Sequence, residues 1–157
     1  MRNVVKMFGS SDKITDMGLN AGGMGEKPNE EEVQLCEIWI KTYLSHADKV
    51  NYELESSYHL KHVVENWLTT LYRAKIDLKN EHGEVIENPC YVSNGVFIEA
   101  MRRLDFMFAS QSGSINPYFC VVYTGARLKY KYSRNRYIMP CDEHDWRRII
   151  CPWVPPA

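Results

Sequence analysis

The hydrophobic period of this chain changes at residue 118. Before that point apolar residues recur mostly three and four positions apart, and from YFCVVY onward they run together or alternate. A repeat near 3.6 builds one face of a helix, whereas a repeat of 2 builds one face of a strand. Both patterns in separate stretches of one chain point to an α+β fold.

The helical stretches carry start signals as well as period. In PNEEEVQLCEIWIKTYLSH, Asn29 can cap free amides, and Glu30, Glu31 and Glu32 stand where the helix dipole favours negative charge. Val33, Cys36, Ile40, Tyr43 and Leu44 then form one buried face. A second helix is expected from Ser56 or Ser57 through YHLKHVVENWLTTLYR, with Leu60, Val64, Trp67, Leu68 and Leu71 as its apolar stripe. A third follows Asn88-Pro89, capped by Ser93 or Asn94, with Phe97, Met101 and Leu104 inward and Glu99, Arg102 and Arg103 outward.

Between the second and third helices, AKIDLKNEHGEVIEN alternates and turns at Asn80–Gly83, which predicts a hairpin. Its rival is a longer second helix stopped by Gly83, because Leu71, Lys75 and Lys79 also fit helical spacing. SQSGSINP reads as a loop, and YFCVVY, TGA and RLKYKY together read as an antiparallel hairpin. The expected architecture is three helices with a small antiparallel sheet mainly from the C-terminal half. Residues 1–28, rich in glycine and without apolar period, are expected to be a flexible arm, residues 29–151 a single α+β domain, and residues 152–157 a proline-rich tail.

A chain of 157 residues is about one domain long, and 45% hydrophobic with 25% charged residues is ordinary for a soluble globular protein. No apolar run approaches the roughly 18 residues of a spanning helix, and the polar N-terminus does not suit a secretory signal. The expectation is a cytoplasmic protein without membrane partners. Five cysteines, an odd and scattered set, read as reduced thiols.

Charge supplies the functional signal. Residues 127–137 read RLKYKYSRNRY, placing Arg127, Lys129, Lys131, Arg134 and Arg136 beside Tyr130, Tyr132 and Tyr137, in a chain of net charge -1. Without those five cations the remainder has fourteen Lys and Arg against twenty Asp and Glu, a formal -6. In a strand, Arg127, Lys129 and Lys131 would share one face, with Leu128, Tyr130 and Tyr132 on the other. Such a ridge suits the phosphates of a nucleic acid, with tyrosines at its rim for stacking on bases. An acidic protein surface would suit it too, and edge strands also carry cations simply to stay soluble.

Other constellations are weaker. A helix-turn-helix made of the second and third helices would give Arg102 and Arg103 a groove to enter, but about twenty residues separate Tyr72 from Ser93. CDEHDW offers Cys141 and His144 at a zinc-like spacing, with Cys151 and Cys90 or Cys120 to complete a set. Alternatively Asp142, Glu143 and Asp145 could hold a divalent metal with His144 as base. A thiol nucleophile could pair Cys141 with His144, or Cys90 with His59 or His62. None has the second matching pair or partner that would make it specific, so no cofactor, no metal and no catalytic residue are expected.

SSYHLKH (56–62) and YVSNGVFIEAMRRLDF (91–106) resemble segments of small, mostly uncharacterised proteins carried by bacteriophages and other mobile elements. The residues concerned are Tyr58, Leu60, Lys61, His62 and Glu65, then Tyr91, Ser93, Asn94, Gly95, Phe97, Ile98 and Ala100. The resemblance covers under a third of the chain and implies an accessory protein, a class that includes inhibitors of host defence systems. It assigns no functional residue. The expected function is therefore non-enzymatic binding to nucleic acid, or to a host complex of protein and nucleic acid. An inhibitor of a defence complex, imitating phosphates with Glu30, Glu31, Glu32, Glu53 and Glu55, is the second expectation, and a metal-dependent hydrolase the third.

Overall fold

Asn29 opens the first helix as its position predicts: its side-chain oxygen accepts the Glu32 amide at 3.1 Å, and α1 runs Glu30–Tyr43. The computed structural model describes residues 4–80 and 82–123 of the chain. Within α1, Val33, Cys36, Ile40 and Tyr43 are buried, and Leu44, also buried, is the first residue of a strand, β3 (Leu44–His46). The second helix, α2, spans Ser57–Arg73 and buries Leu60, Val64, Trp67, Leu68 and Leu71. The third, α3, spans Asn94–Arg103, and the Ser93 hydroxyl caps it by accepting the Val96 amide at 3.2 Å.

The ends of α2 and α3 are alike. The Lys75 amide donates to Tyr72 and the Ile76 amide to Leu71, while the Asp105 amide donates to Arg102 and the Phe106 amide to Met101. Both pairs are the crossed bonds of a Schellman stop, and both place a residue at positive φ, Lys75 at 59° and Asp105 at 61°. With α2 ended there, the chain is free to form the hairpin rather than a longer helix. The strands Leu78–Lys79 (β4) and Val85–Ile86 (β5) pair antiparallel, with Leu78 opposite Ile86.

The α+β class is observed. Among the described residues the pairing is spread along the chain in four two-stranded antiparallel ribbons. Ile14–Thr15 (β1) pairs with Gly18–Leu19 (β2), Phe108–Ala109 (β6) with Tyr118–Phe119 (β7), and β3 with Val121–Tyr123 (β8). YFCVVY is thus shared between β7 and β8, and Ser110–Pro117 is the expected loop. Residues 124–157, with the remainder of the expected C-terminal hairpin, lie outside the described residues.

α3 is the central element. Eight consecutive residues, Asn94 to Met101, are buried, so it is covered on every side over two turns. Trp39 of α1 meets Phe97 edge-on with centroids 6.1 Å apart, and Phe97 meets Phe119 of β7 at 5.9 Å. Trp67 and Leu68 of α2 belong to the same core.

The N-terminal stretch departs from expectation. Residues 4–28, read from composition as a flexible arm, are bonded to this core. The Gly95 amide donates to the Asp16 carbonyl at 3.1 Å, the Leu19 amide to Ile115 at 2.9 Å, and Lys6 and Phe108 exchange two backbone bonds of 2.9 Å. Phe8 stacks on Phe108 with centroids 4.0 Å apart, and Leu19 is fully covered. The physical reason lies at Gly95: any Cβ there would collide with the Thr15 carbonyl, so the absent side chain lets one backbone seat on another. Few apolar anchors were needed because backbone bonds to α3 and β6 do much of the holding.

Candidate binding site

A buried polar knot sets the position of α2. Ser57 donates its amide to the Pro117 carbonyl at 2.8 Å and its hydroxyl to Asn94 Oδ1 at 2.7 Å. The Asn94 side-chain amide in turn donates to the Met17 carbonyl at 3.0 Å and to Asn116 Oδ1 at 2.7 Å. Ser57 and Asn94 are buried, so each of these bonds is made where an unmade one would be costly. The first turns of α2 and α3 are thereby locked together, which fixes the direction in which the next α2 side chains point.

Tyr58, Lys61, His62 and Glu65 follow at the spacing of one helical face. The second wall comes from the segment after the hairpin. Asn88 donates from its side chain to the Leu68 carbonyl at 2.8 Å and accepts the Cys90 amide at 2.9 Å, turning the chain through Cys90 at φ 55°. This turn brings Tyr91 over α2, where the Val92 amide donates to Glu65 Oε2 at 3.4 Å.

Glu65 is the hub of the resulting cluster. Its Oε1 accepts from Lys61 Nζ at 3.2 Å and lies 2.8 Å from His62 Nδ1. The Lys61 ammonium lies 5.3 Å from the Tyr58 ring centroid and 5.0 Å from that of Tyr91, so it is held between two aromatic rings. Lys61 itself is 7% exposed, whereas Tyr58 and Tyr91 are each 51% exposed. The His62 ring meets Tyr58 edge-on at 4.7 Å. One turn earlier His59 Nδ1 lies 2.6 Å from Glu55, and burial draws the His59 pKa below its ordinary value against the pull of that carboxylate.

Arg102 and Arg103, expected to face outward and contact a partner, are drawn to the chain's own carboxylates. Arg102 makes a two-pronged pair with Glu99, at 2.8 and 2.5 Å. Arg103 bonds Glu99 at 2.7 Å and reaches across to Glu30 on α1 at 2.6 and 2.8 Å. Glu99 is therefore buried rather than outward. Burial alone would raise its pKa, but hydrogen bonds from the two arginines outweigh that and hold it below the usual carboxylate range. The Arg103 bond likewise lowers Glu30.

The helix-turn-helix reading fails on two counts. The β4–β5 hairpin fills the connection between α2 and α3, and α3, which would have to enter a groove, is buried over two turns. Of the proposed phosphate mimics, Glu30 is matched by Arg103 and Glu55 by His59. Cys36, Cys90 and Cys120 are free thiols, and burial pushes the Cys36 and Cys120 pKa values up, which keeps both protonated. The two histidines considered as activating bases are each bonded to a glutamate. Among the described residues no group of three or more His, Cys, Asp and Glu is placed to hold a metal, and no helix is long and apolar enough to cross a membrane.

Arg127, Lys129, Tyr130, Lys131, Tyr132, Arg134, Arg136 and Tyr137 lie outside the described residues, as do Cys141, Asp142, Glu143, His144, Asp145 and Cys151. Sequence reasoning gave no binding role to Tyr58, Lys61, His62, Glu65 and Tyr91, and weighed His62 only as a base for Cys90. The spacing of the first four was a visible signal. Tyr91 was not, because only the Asn88 turn brings it there. Neither a family model, nor a curated protein, nor a solved structure matches this chain.

Proposed function

We propose that this chain is a cytoplasmic, non-enzymatic binding protein that engages nucleic acid, or a complex that handles nucleic acid, through its basic, tyrosine-rich segment 127–137. The observation that carries the reading is the segregation of charge. Residues 124–157 hold seven Lys and Arg against three Asp and Glu, a formal +4 in a chain of -1. The described residues hold eleven against sixteen, a formal -5. Such segregation concentrates the attraction for a polyanion in one segment of the chain. The pairing of Arg102 and Arg103 with internal carboxylates adds weight to the same segment, since those two cations have partners already.

Fluorescence anisotropy with short labelled oligonucleotides tests this. Five phosphate contacts on a single strand give a slope of log Kobs against log salt of about -3.5, and neutralising any one cation should reduce its magnitude by about 0.7. Absence of binding to both DNA and RNA at low salt rejects direct contact. Capture of a host complex that survives nuclease treatment would then assign the segment to a protein surface, as the resemblance to phage and mobile-element accessory proteins suggests.

A further inference from the structure

We propose that Tyr58 and Tyr91 form a second contact for the same ligand, stacking on unpaired bases of a single strand. This deepens the nucleic-acid reading above and rests on it. The two rings are half in water although each has an inner side occupied by the Lys61 ammonium, at 5.3 and 5.0 Å. A ring held by a cation on its inner side has little orientational freedom left to lose when something covers its outer side. The Asn88 turn and the bond from Val92 to Glu65 hold Tyr91 from its backbone, and the polar knot at Ser57 holds the turn that carries Tyr58. Two aromatic surfaces are thus presented to solvent in fixed positions.

The charge balance of the cluster decides what those surfaces take. Lys61 is matched by Glu65 at 3.2 Å and nearly buried, so no surplus cation is offered to a phosphate. Of the cluster, Tyr58 and Tyr91 are the side chains most open to solvent. Bases within a duplex stack on one another and expose only their edges, so an aromatic surface is matched by a base that has left its stack. The two parts of the chain then divide the ligand by chemistry: segment 127–137 takes the phosphates, and the α2 surface takes the bases.

The test compares a short labelled oligothymidylate with an abasic strand of equal length and charge, using the full chain. The wild type should bind the oligothymidylate about ten-fold or more tighter than the abasic strand. Tyr58→Ala with Tyr91→Ala should remove that preference while leaving the salt slope unchanged, and Tyr58→Phe with Tyr91→Phe should keep it. Because Tyr130, Tyr132 and Tyr137 can stack on bases as well, the assignment rests on the alanine pair, whose fold is checked by its urea midpoint. A preference that persists in a folded alanine pair overturns the α2 surface. Equal binding of both strands by the wild type, with a steep salt slope, overturns the stacking surface and leaves the basic segment standing. Failure of the wild type to bind either strand at low salt rejects both.

Discussion

Glu99 on α3 and Glu65 on α2 are built from the same local pattern and end in different roles. Each is a largely buried carboxylate with two basic side chains three and four residues away, Arg102 and Arg103 after Glu99, Lys61 and His62 before Glu65. Around Glu99 the charges close on one another and on a neighbouring helix, because Arg103 is long and forked enough to bond Glu99 and Glu30 together. Around Glu65 the lysine is short of any second helix and is covered by two rings that face water. The first cluster is a staple between α1 and α3. The second holds a surface in place. Counting charges along a helix cannot tell them apart, because the difference lies in what stands opposite.

The largest expected effect bears on the element both clusters lean on. Replacing a helical glycine by alanine usually stabilises a helix by about 1 kcal/mol, but Gly95→Ala would drive a methyl into the Thr15 carbonyl. A loss of about 3 kcal/mol is expected, read as a lower urea midpoint. A neutral or favourable result would mean that the N-terminal ribbon is not seated on α3.

Next, Glu99→Ala should cost about 2 kcal/mol, because it leaves the Arg102 guanidinium without its carboxylate and removes one of the two carboxylates that hold Arg103 in place against Glu30. Glu65→Ala should cost about 1 kcal/mol, since its partners lie on its own helix and, at Val92, in the irregular segment before α3. Reversal of that order would remove the distinction between staple and surface. Acid should report the same contrast. Glu30 and Glu99 are held below their ordinary 4.5, so the unfolded chain binds their protons first, and stability they supply above 4.5 is lost as pH falls through their folded values. Glu99→Gln should flatten that decline in denaturant midpoints. His59, lowered by burial, adds a separate decline as pH falls below 6.5, which Glu99→Gln should leave in place. Glu32 and Glu37, raised by burial, act in the opposite sense: their contribution is complete below 4.5 and lost as pH rises through their folded values.

The smallest effect compares the two helix ends. Lys75 and Asp105 hold the same positive φ, and aspartate tolerates that region better than lysine. Lys75→Gly should therefore stabilise by about 1 kcal/mol and Asp105→Gly by less, measured by thermal melting. Equal gains would show that side-chain tolerance of positive φ does not separate the two stops.

Much of the fold was legible along the chain. Asn29, Ser93, the helical stripes and the Asn80–Gly83 turn are local signals, each readable from a few neighbouring residues. The end of α2 was not legible, since its stop uses Lys75 where glycine would have announced it, and the choice between hairpin and longer helix stayed open for that reason. The order of residues 4–28 was missed because it rests on Gly95 and on backbone bonds to distant carbonyls, which leave no apolar period behind.

Local sequence determined which segments are helical, where the three helices begin, and that positive charge collects in residues 127–137. Only tertiary structure decided which carboxylates Arg103 would find, that Glu99 would be buried, and that Tyr91 would meet Lys61 of another element. The reason is one of range. Caps and periods depend on neighbours within a turn or two, whereas neutralisation and exposure depend on side chains that the fold brings together from tens of residues away.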